Sequence, residues 1–245
     1  MTAERRKRAM QRAEVLGPPA AIVAARNEVD RIALTVSALR AALPGVRVYV
    51  ADDASEDGTA EAAMTAGAEV VSRRRPHGKG ANVTAAAEAA LSVEPQPAAI
   101  LLCDGDLGGS AARLAVLLEA VEAGECDLAV AAFSRRVGGG FGVALGFARR
   151  AIRRLCGLET TAPISGQRAM RTEVLRATLP FARGYGMEVG MTVDAVRAGF
   201  RLREYELDLE HRATARDLAG FVHRARQLAD FARVYRARRG GRRPA

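Results

Sequence analysis

Apolar residues come in short unbroken blocks, separated by stretches whose apolar positions recur at helical spacing, and the two alternate from residue 20 onward. The block 20–24 predicts a buried strand. Polar Arg26, Asn27 and Glu28 close it, and a helix over 29–43 follows with Ile32, Val36 and Leu39 on one face and Pro44-Gly45 as its stop. The same unit then repeats: strand 46–51, helix 59–66, strand 68–72, helix 80–91, strand 98–103, helix 110–123 and strand 127–132. Strands that are apolar throughout, joined by helices and short connections, predict an α/β fold with a mostly parallel sheet covered on both faces.

Past residue 133 the pattern loosens. The run Gly138-Gly139-Gly140-Phe141-Gly142 reads as a lid or as a plain linker. Residues 163–210 read as short mixed elements ending in an alternating stretch, 202–209. Residues 214–238 read as a long amphipathic helix with Leu218, Phe221, Val222, Leu228 and Phe231 along one stripe. The expected organisation is a basic leader over 1–17, one domain over 18–212 (a first half, 18–135, and a second, 136–212) and a C-terminal helix with a basic tail over 213–245.

Composition changes the picture mainly through charge. The net +9 over 245 residues suggests nucleic acid until the charge is located. Residues 1–16 hold five basic against two acidic residues and 216–245 hold nine against two, which leaves the body with 23 basic and 24 acidic. Only the ends are basic, and no aromatic residues interleave them for base stacking, so no nucleic-acid partner is expected. Solvated tails, or peripheral contact of the basic C-terminal helix with the inner face of the plasma membrane, fit better. The three cysteines form no CxxC pair, no apolar run is long enough to span a bilayer and no signal-type stretch follows the charged start. These features predict a cytoplasmic protein, with a homodimer allowed.

Ligands of open α/β sheets bind outside the carboxyl ends of the strands. The first strand ends in Ala25-Arg26-Asn27-Glu28, the second in Asp52-Asp53-Ala54-Ser55-Glu56-Asp57-Gly58-Thr59, the third leads to His77-Gly78-Lys79-Gly80 and the fourth to Asp104-Gly105-Asp106. Neither GxGxxG nor GxxxxGK[ST] is present. An acid-rich pocket suits a phosphorylated ligand when a divalent cation lies between them, and Mg2+ or Mn2+ takes one or two carboxylates plus substrate phosphates. Alone, a DxD tripeptide is weak evidence. As the last of four strand ends offering charged groups it is a specific metal-site expectation.

This order of motifs resembles family 2 glycosyltransferases of the GT-A fold, a Rossmann-like three-layer architecture, over roughly residues 20–135. Downstream, Ser165-Gly166-Gln167-Arg168-Ala169, Gly184-Tyr185-Gly186-Met187-Glu188-Val189-Gly190 and His211-Arg212 are similar to bacterial members related to dolichol-phosphate mannosyltransferases and glucosyl-3-phosphoglycerate synthases. The resemblance implies that Asp53 binds base or ribose and that Ala25, Arg26, Asn27 and Glu28 flank the nucleotide. Lys79 would meet its phosphates, and Asp104 and Gly105 would lie at the ribose and the metal. Asp106 would ligate Mg2+ or Mn2+, completed by His211. Arg26 stands where the family usually has an aromatic residue, so a guanidinium would stack on the base.

Glu188 would position the acceptor or act as base, or else complement the dipole of the helix it begins. Gln167 and Arg168 would meet the donor sugar or an anionic acceptor, or else form a solvated strand edge. The implied reaction moves a hexose from a UDP or GDP sugar to a polyprenyl phosphate or a small phosphorylated acid. A nucleotidyltransferase would need a glycine-rich basic loop after the first strand, which Ala24–Glu28 does not supply; a non-catalytic nucleotide-sugar binder is the remaining alternative.

Overall fold

The computed structural model describes residues 16–133, 143–210 and 218–240. Seven strands form one sheet: β1 (Ala20–Ala25), β2 (Arg47–Asp52), β3 (Glu69–Ser72), β4 (Ala99–Asp104), β5 (Leu128–Phe133), β6 (Arg168–Arg171) and β7 (Leu202–Leu207). Their order is β3-β2-β1-β4-β6-β5-β7, and only β6 runs against its neighbours. Chain direction across the sheet reverses between β1 and β4, because β2 and β3 lie on one side of β1 and β4 on the other. That switch point opens a crevice at the carboxyl ends of β1 and β4.

Side chains of successive strand residues point to opposite faces, and both faces are buried. Ala21, Val23, Val50 and Leu101 join Ile32, Val36 and Leu39 of helix α1 (Val29–Ala42) on one side. Ile22, Tyr49, Ile100 and Leu102 join Val83, Ala86 and Met187 on the other. Hence the strands are apolar throughout rather than alternating. Helices α2 (Thr59–Thr65) and α3 (Lys79–Leu91) fall where the helical spacing predicts them. The three-layer GT-A expectation is met.

Four elements differ from the expectation. The predicted helix 110–123 is instead a 3₁₀ run, Gly105–Leu114, broken at Gly108, which passes into α4 (Ala115–Glu122). Gly108 has φ 53 and ψ −139, which no helix accommodates. Helix α5 (Val143–Cys156) was not foreseen, since its four arginines dilute the apolar spacing. The mixed region resolves into β6, α6 (Thr172–Thr178), a 3₁₀ turn Gly184–Gly186 and α7 (Met187–Arg197). The terminal helix α8 (Leu218–Arg239) is present, but the described part of its apolar stripe does not face outward. Phe231 and Val234 are buried in a third cluster with Ala148 and Ile152 of α5 and Val189 and Val193 of α7. Phe231 of that stripe and Val234 are therefore covered by protein. The Gly138–Gly142 run lies outside the described residues.

Helix α8 is fastened at four-residue intervals. Asp230 accepts the Tyr185 N–H at 3.1 Å, Val234 packs on Gly186, and Arg238 meets Asp194 of α7 through two bonds of 2.9 and 2.5 Å. Arg238 and Asp194 are only 3% and 7% exposed. Removing one partner of such a buried pair strands the other charge and is expected to destabilise by about 3–5 kcal/mol. Arg238→Ala should show that loss in denaturant unfolding, against under about 1 kcal/mol for exposed Arg233→Ala.

Candidate active site

Each strand end is shaped by contacts from elsewhere in the chain. At the end of β1, Asn27 adopts φ 55, and beyond β2 Ala54 adopts φ 57. These left-handed conformations are held by a reciprocal clasp, since Asn27 donates its N–H to Ser55 Oγ at 2.9 Å and its Oδ1 accepts the Glu56 N–H at 3.1 Å. The open N-terminus of α1 is satisfied from the same loop: Thr59 Oγ1 accepts the Glu28 N–H at 2.8 Å and Asp57 the Val29 N–H at 3.2 Å. Ala25 is buried and its carbonyl accepts the Asp53 N–H at 3.0 Å. Arg26 is exposed at the rim and Glu28 is half-buried.

Asp53 is 7% exposed, and its carboxylate accepts the N–H groups of His77 (2.7 Å) and Gly78 (3.0 Å). It thereby fixes the loop that presents Lys79 at the start of α3. The Asp104-Gly105-Asp106 turn is pinned by α1: Thr35 donates to the Gly105 carbonyl and accepts from the Gly108 N–H, both at 2.8 Å. Arg31 donates to the Asp106 carbonyl at 3.1 Å and lies 4.0 Å from the Glu210 carboxylate. Thr35 was a legible but missed signal, a polar residue on the apolar stripe of its helix.

The strand ends converge on one ammonium. Lys79 Nζ lies 2.6 Å from Asp104 Oδ1 and 2.9 Å from Glu188 Oε1, while Gln167 donates to Asp104 Oδ2 at 2.8 Å. Burial works against the charged lysine, but Asp104 and Glu188 outweigh it and raise its pKa. Gly166 lies against this pair; a Cβ there would sit 2.5 Å from Nζ and 2.9 Å from Asp104 Oδ2. Burial, with Asp104 beside it, pushes the Cys103 thiol up, which keeps it a packing group.

The structure thus brings Lys79, Asp104, Gln167 and Glu188 together. Arg168 is placed differently from the expectation: at 1% exposure it has no surface to offer an acceptor or sugar, and it is no solvated edge, because β6 is an interior strand. Gln167, at 2%, reaches Asp104 instead. His211 lies outside the described residues, although Glu210 before it is tied to Ser110 by its N–H at 3.0 Å. Among the described residues no group of three His, Cys, Asp or Glu side chains could hold a metal. Asp104 and Asp106 are both partly exposed, and two carboxylates completed by ligand phosphates match what Mg2+ or Mn2+ takes.

Residues 20–179 match the family described as Glycosyl transferase family 2. The chain belongs to that family. This family 2 glycosyltransferase is therefore a nucleotide-sugar-dependent enzyme. It is 34% identical over 207 residues to an undecaprenyl-phosphate mannosyltransferase of Micrococcus luteus, covering 78% of this chain and 83% of the relative. Among solved structures it is similar to a glucosyl-3-phosphoglycerate synthase from Mycobacterium tuberculosis in complex with Mn2+, UDP and phosphoglyceric acid. That likeness has a TM-score of 0.71 and 27% identity, with 89% and 78% of the two chains covered. A mycobacterial protein matches with a TM-score of 0.75 and 25% identity over 94% and 77% of the two chains.

The closeness of Gly166 to the lysine–carboxylate pair gives a direct test of the family 2 enzyme's site. Gly166→Ala should displace Lys79 from Asp104 and weaken nucleotide-sugar binding by about 10-fold or more, about 1.4 kcal/mol. Calorimetric titration of the donor checks this, with unchanged circular dichroism as the folding control.

Proposed function

We propose that this enzyme moves a hexose from a UDP or GDP sugar to a polyprenyl phosphate, with Mg2+ or Mn2+ held by Asp106 and Asp104. The observation that carries the reading is Lys79 placed between Asp104 and Glu188, where the ends of β1 and β4 diverge. The 34% identical relative is an undecaprenyl-phosphate enzyme, which favours this acceptor. His211, following Glu210 beside the Asp106 turn, is the proposed further metal ligand.

In this reading Ala25, Arg26, Asn27 and Glu28 flank the nucleotide, with the exposed Arg26 guanidinium available to the base. Asp53 orders the Lys79 loop and borders the ribose side. When bound, the cation neutralises charge on the departing nucleoside diphosphate. Lys79 adds a fixed positive charge there, already oriented by two carboxylates, so little reorganisation accompanies the reaction. Asp104 orients Lys79, Gly105 lets the turn approach Ala25 closely, and Gln167 orients Asp104.

Glu188 faces the acceptor side. A phosphate ester has a second pKa of about 6, so a prenyl phosphate is already an anion and needs no base. Glu188 then positions Lys79 and the acceptor without removing a proton. The likeness to a synthase solved with phosphoglyceric acid favours a second acceptor, a small phosphorylated acid, and there a hydroxyl proton would pass to Glu188.

A peripheral membrane contact would accompany the lipid acceptor. Its support is the exposed arginines, Arg149, Arg150, Arg153 and Arg154 on α5 and Arg233, Arg236 and Arg239 on α8. Among the described residues no helix is long and apolar enough to cross a membrane.

Incubation with UDP or GDP sugars, Mn2+ and either polyprenyl phosphate or 3-phosphoglycerate tests the reading. Glycosylated lipid formed only with Mn2+ or Mg2+ is the expected product, and transfer to phosphoglycerate alone would replace the lipid with the second acceptor. Asp106→Ala should lower turnover by about 100-fold or more, the scale of losing one preorganised charge-stabilising group. Unchanged turnover in that variant would remove Asp106 from the site.

A further inference from the structure

Arg168 is a full positive charge in the interior. It sits on β6, between β4 and β5, and is the bulkiest of the fully buried side chains. Burial lowers its pKa to about 10, so it remains a cation at neutral pH. Its Nε donates to the Ser165 carbonyl at 2.8 Å and its Nη1 to Thr192 Oγ1 at 2.9 Å. Nη2 is buried without a hydrogen-bond partner. Arg168 makes no ion pair among the described residues. A side chain kept only for its hydrogen bonds would not leave one nitrogen unsatisfied in the core. The charge itself needs an explanation.

Two carboxylates place Arg168 in their field, Glu188 and Glu204. Glu204 is fully engaged, accepting the hydroxyls of Thr160 and Thr161 and the N–H groups of Thr161 and Ala162. Glu188 is 5% exposed and its ion pair is with Lys79. Around Lys79 two carboxylates, Asp104 and Glu188, face one ammonium. Arg168 supplies the balancing charge. It is also joined to Glu188 mechanically, because the Thr192 hydroxyl that accepts from Arg168 donates to the Glu188 carbonyl at 2.9 Å.

We propose that Arg168 is a positioning residue for Glu188, keeping it in place through Thr192 when the phosphates of the donor draw on the charge of Lys79. The proposal rests on the site reading given above for Lys79 and Glu188. In it, Lys79 shares its charge with the incoming diphosphate, while Arg168 stays fixed in the interior by Ser165 and Thr192. A buried carboxylate left without a compensating cation is strongly destabilising.

The test is a double-mutant cycle of Arg168→Met and Glu188→Gln, read by thermal unfolding of the full chain without substrate. Removing the arginine should lower the melting temperature clearly in the wild-type background and much less in Glu188→Gln, because the doubly altered site is again balanced. Folding of Arg168→Met only in the Glu188→Gln background would support the proposal equally. The same loss in both backgrounds, or failure to fold in both, would overturn it and leave Arg168 a packing residue.

Turnover supplies a second readout that packing alone would not give. Arg168→Met should lower kcat by about 10-fold with donor KM within about twofold, and Arg168→Lys should recover most of kcat. No recovery by lysine would also count against a charge role. The unfolding cycle needs no activity, so its outcome is independent of whether the proposed reaction is correct.

Discussion

A single ammonium joins the two halves of this enzyme. Asp104 ends β4 in the first half, Glu188 opens α7 in the second, and Lys79 touches both. Such a bridge requires three backbone segments to be brought together. Much of the surrounding structure meets that demand. Asp53 fixes the loop before Lys79, Thr35 and Arg31 fix the turn after Asp104, and α8 fixes the turn before Glu188. Small residues stand where these pieces crowd. A side chain on Gly80 would overlap the Ala182 carbonyl, and one on Gly166 would strike the lysine.

The first half, around β1 to β4, was legible in the sequence because its physics is local. A parallel strand buried on both faces must be apolar along its whole length, so the first polar residues after it mark the carboxyl end of the sheet. Reading those ends in order put Asp53, Lys79 and Asp104 on one edge before any coordinates. The Ile32, Val36 and Leu39 stripe was equally plain, and all three are fully buried.

The second half was less legible for the opposite reason. Arg168 reads as a surface residue in any one-dimensional pattern, and only the antiparallel insertion of β6 between β4 and β5 makes it internal. Helix α5 hid behind its arginines, although its inner face carries Ala148 and Ile152. The apolar stripe of α8 was recognised, but a stripe does not reveal whether lipid or protein covers it. Glycines at 184, 186 and 190 read only as part of a family resemblance, whereas they give the close approach that α8 uses. In each case the deciding contact joins residues far apart in the chain, as with Arg238 and Asp194.

The grip of Asp230, Val234 and Arg238 on the 184–194 segment also orders events in time. A chain emerging from the ribosome completes the first four strands, with Asp53, Lys79 and Asp104 at their ends, long before residue 238 is available. Until then the turn before Glu188 lacks the hold of Asp230 and Val234. The ends of β1 to β4 can come together while the 184–186 turn is still loose. Synthesis of α8 is thus the step that fixes that turn, and a chain released before it would carry Asp53, Lys79 and Asp104 without the grip that sets the start of α7.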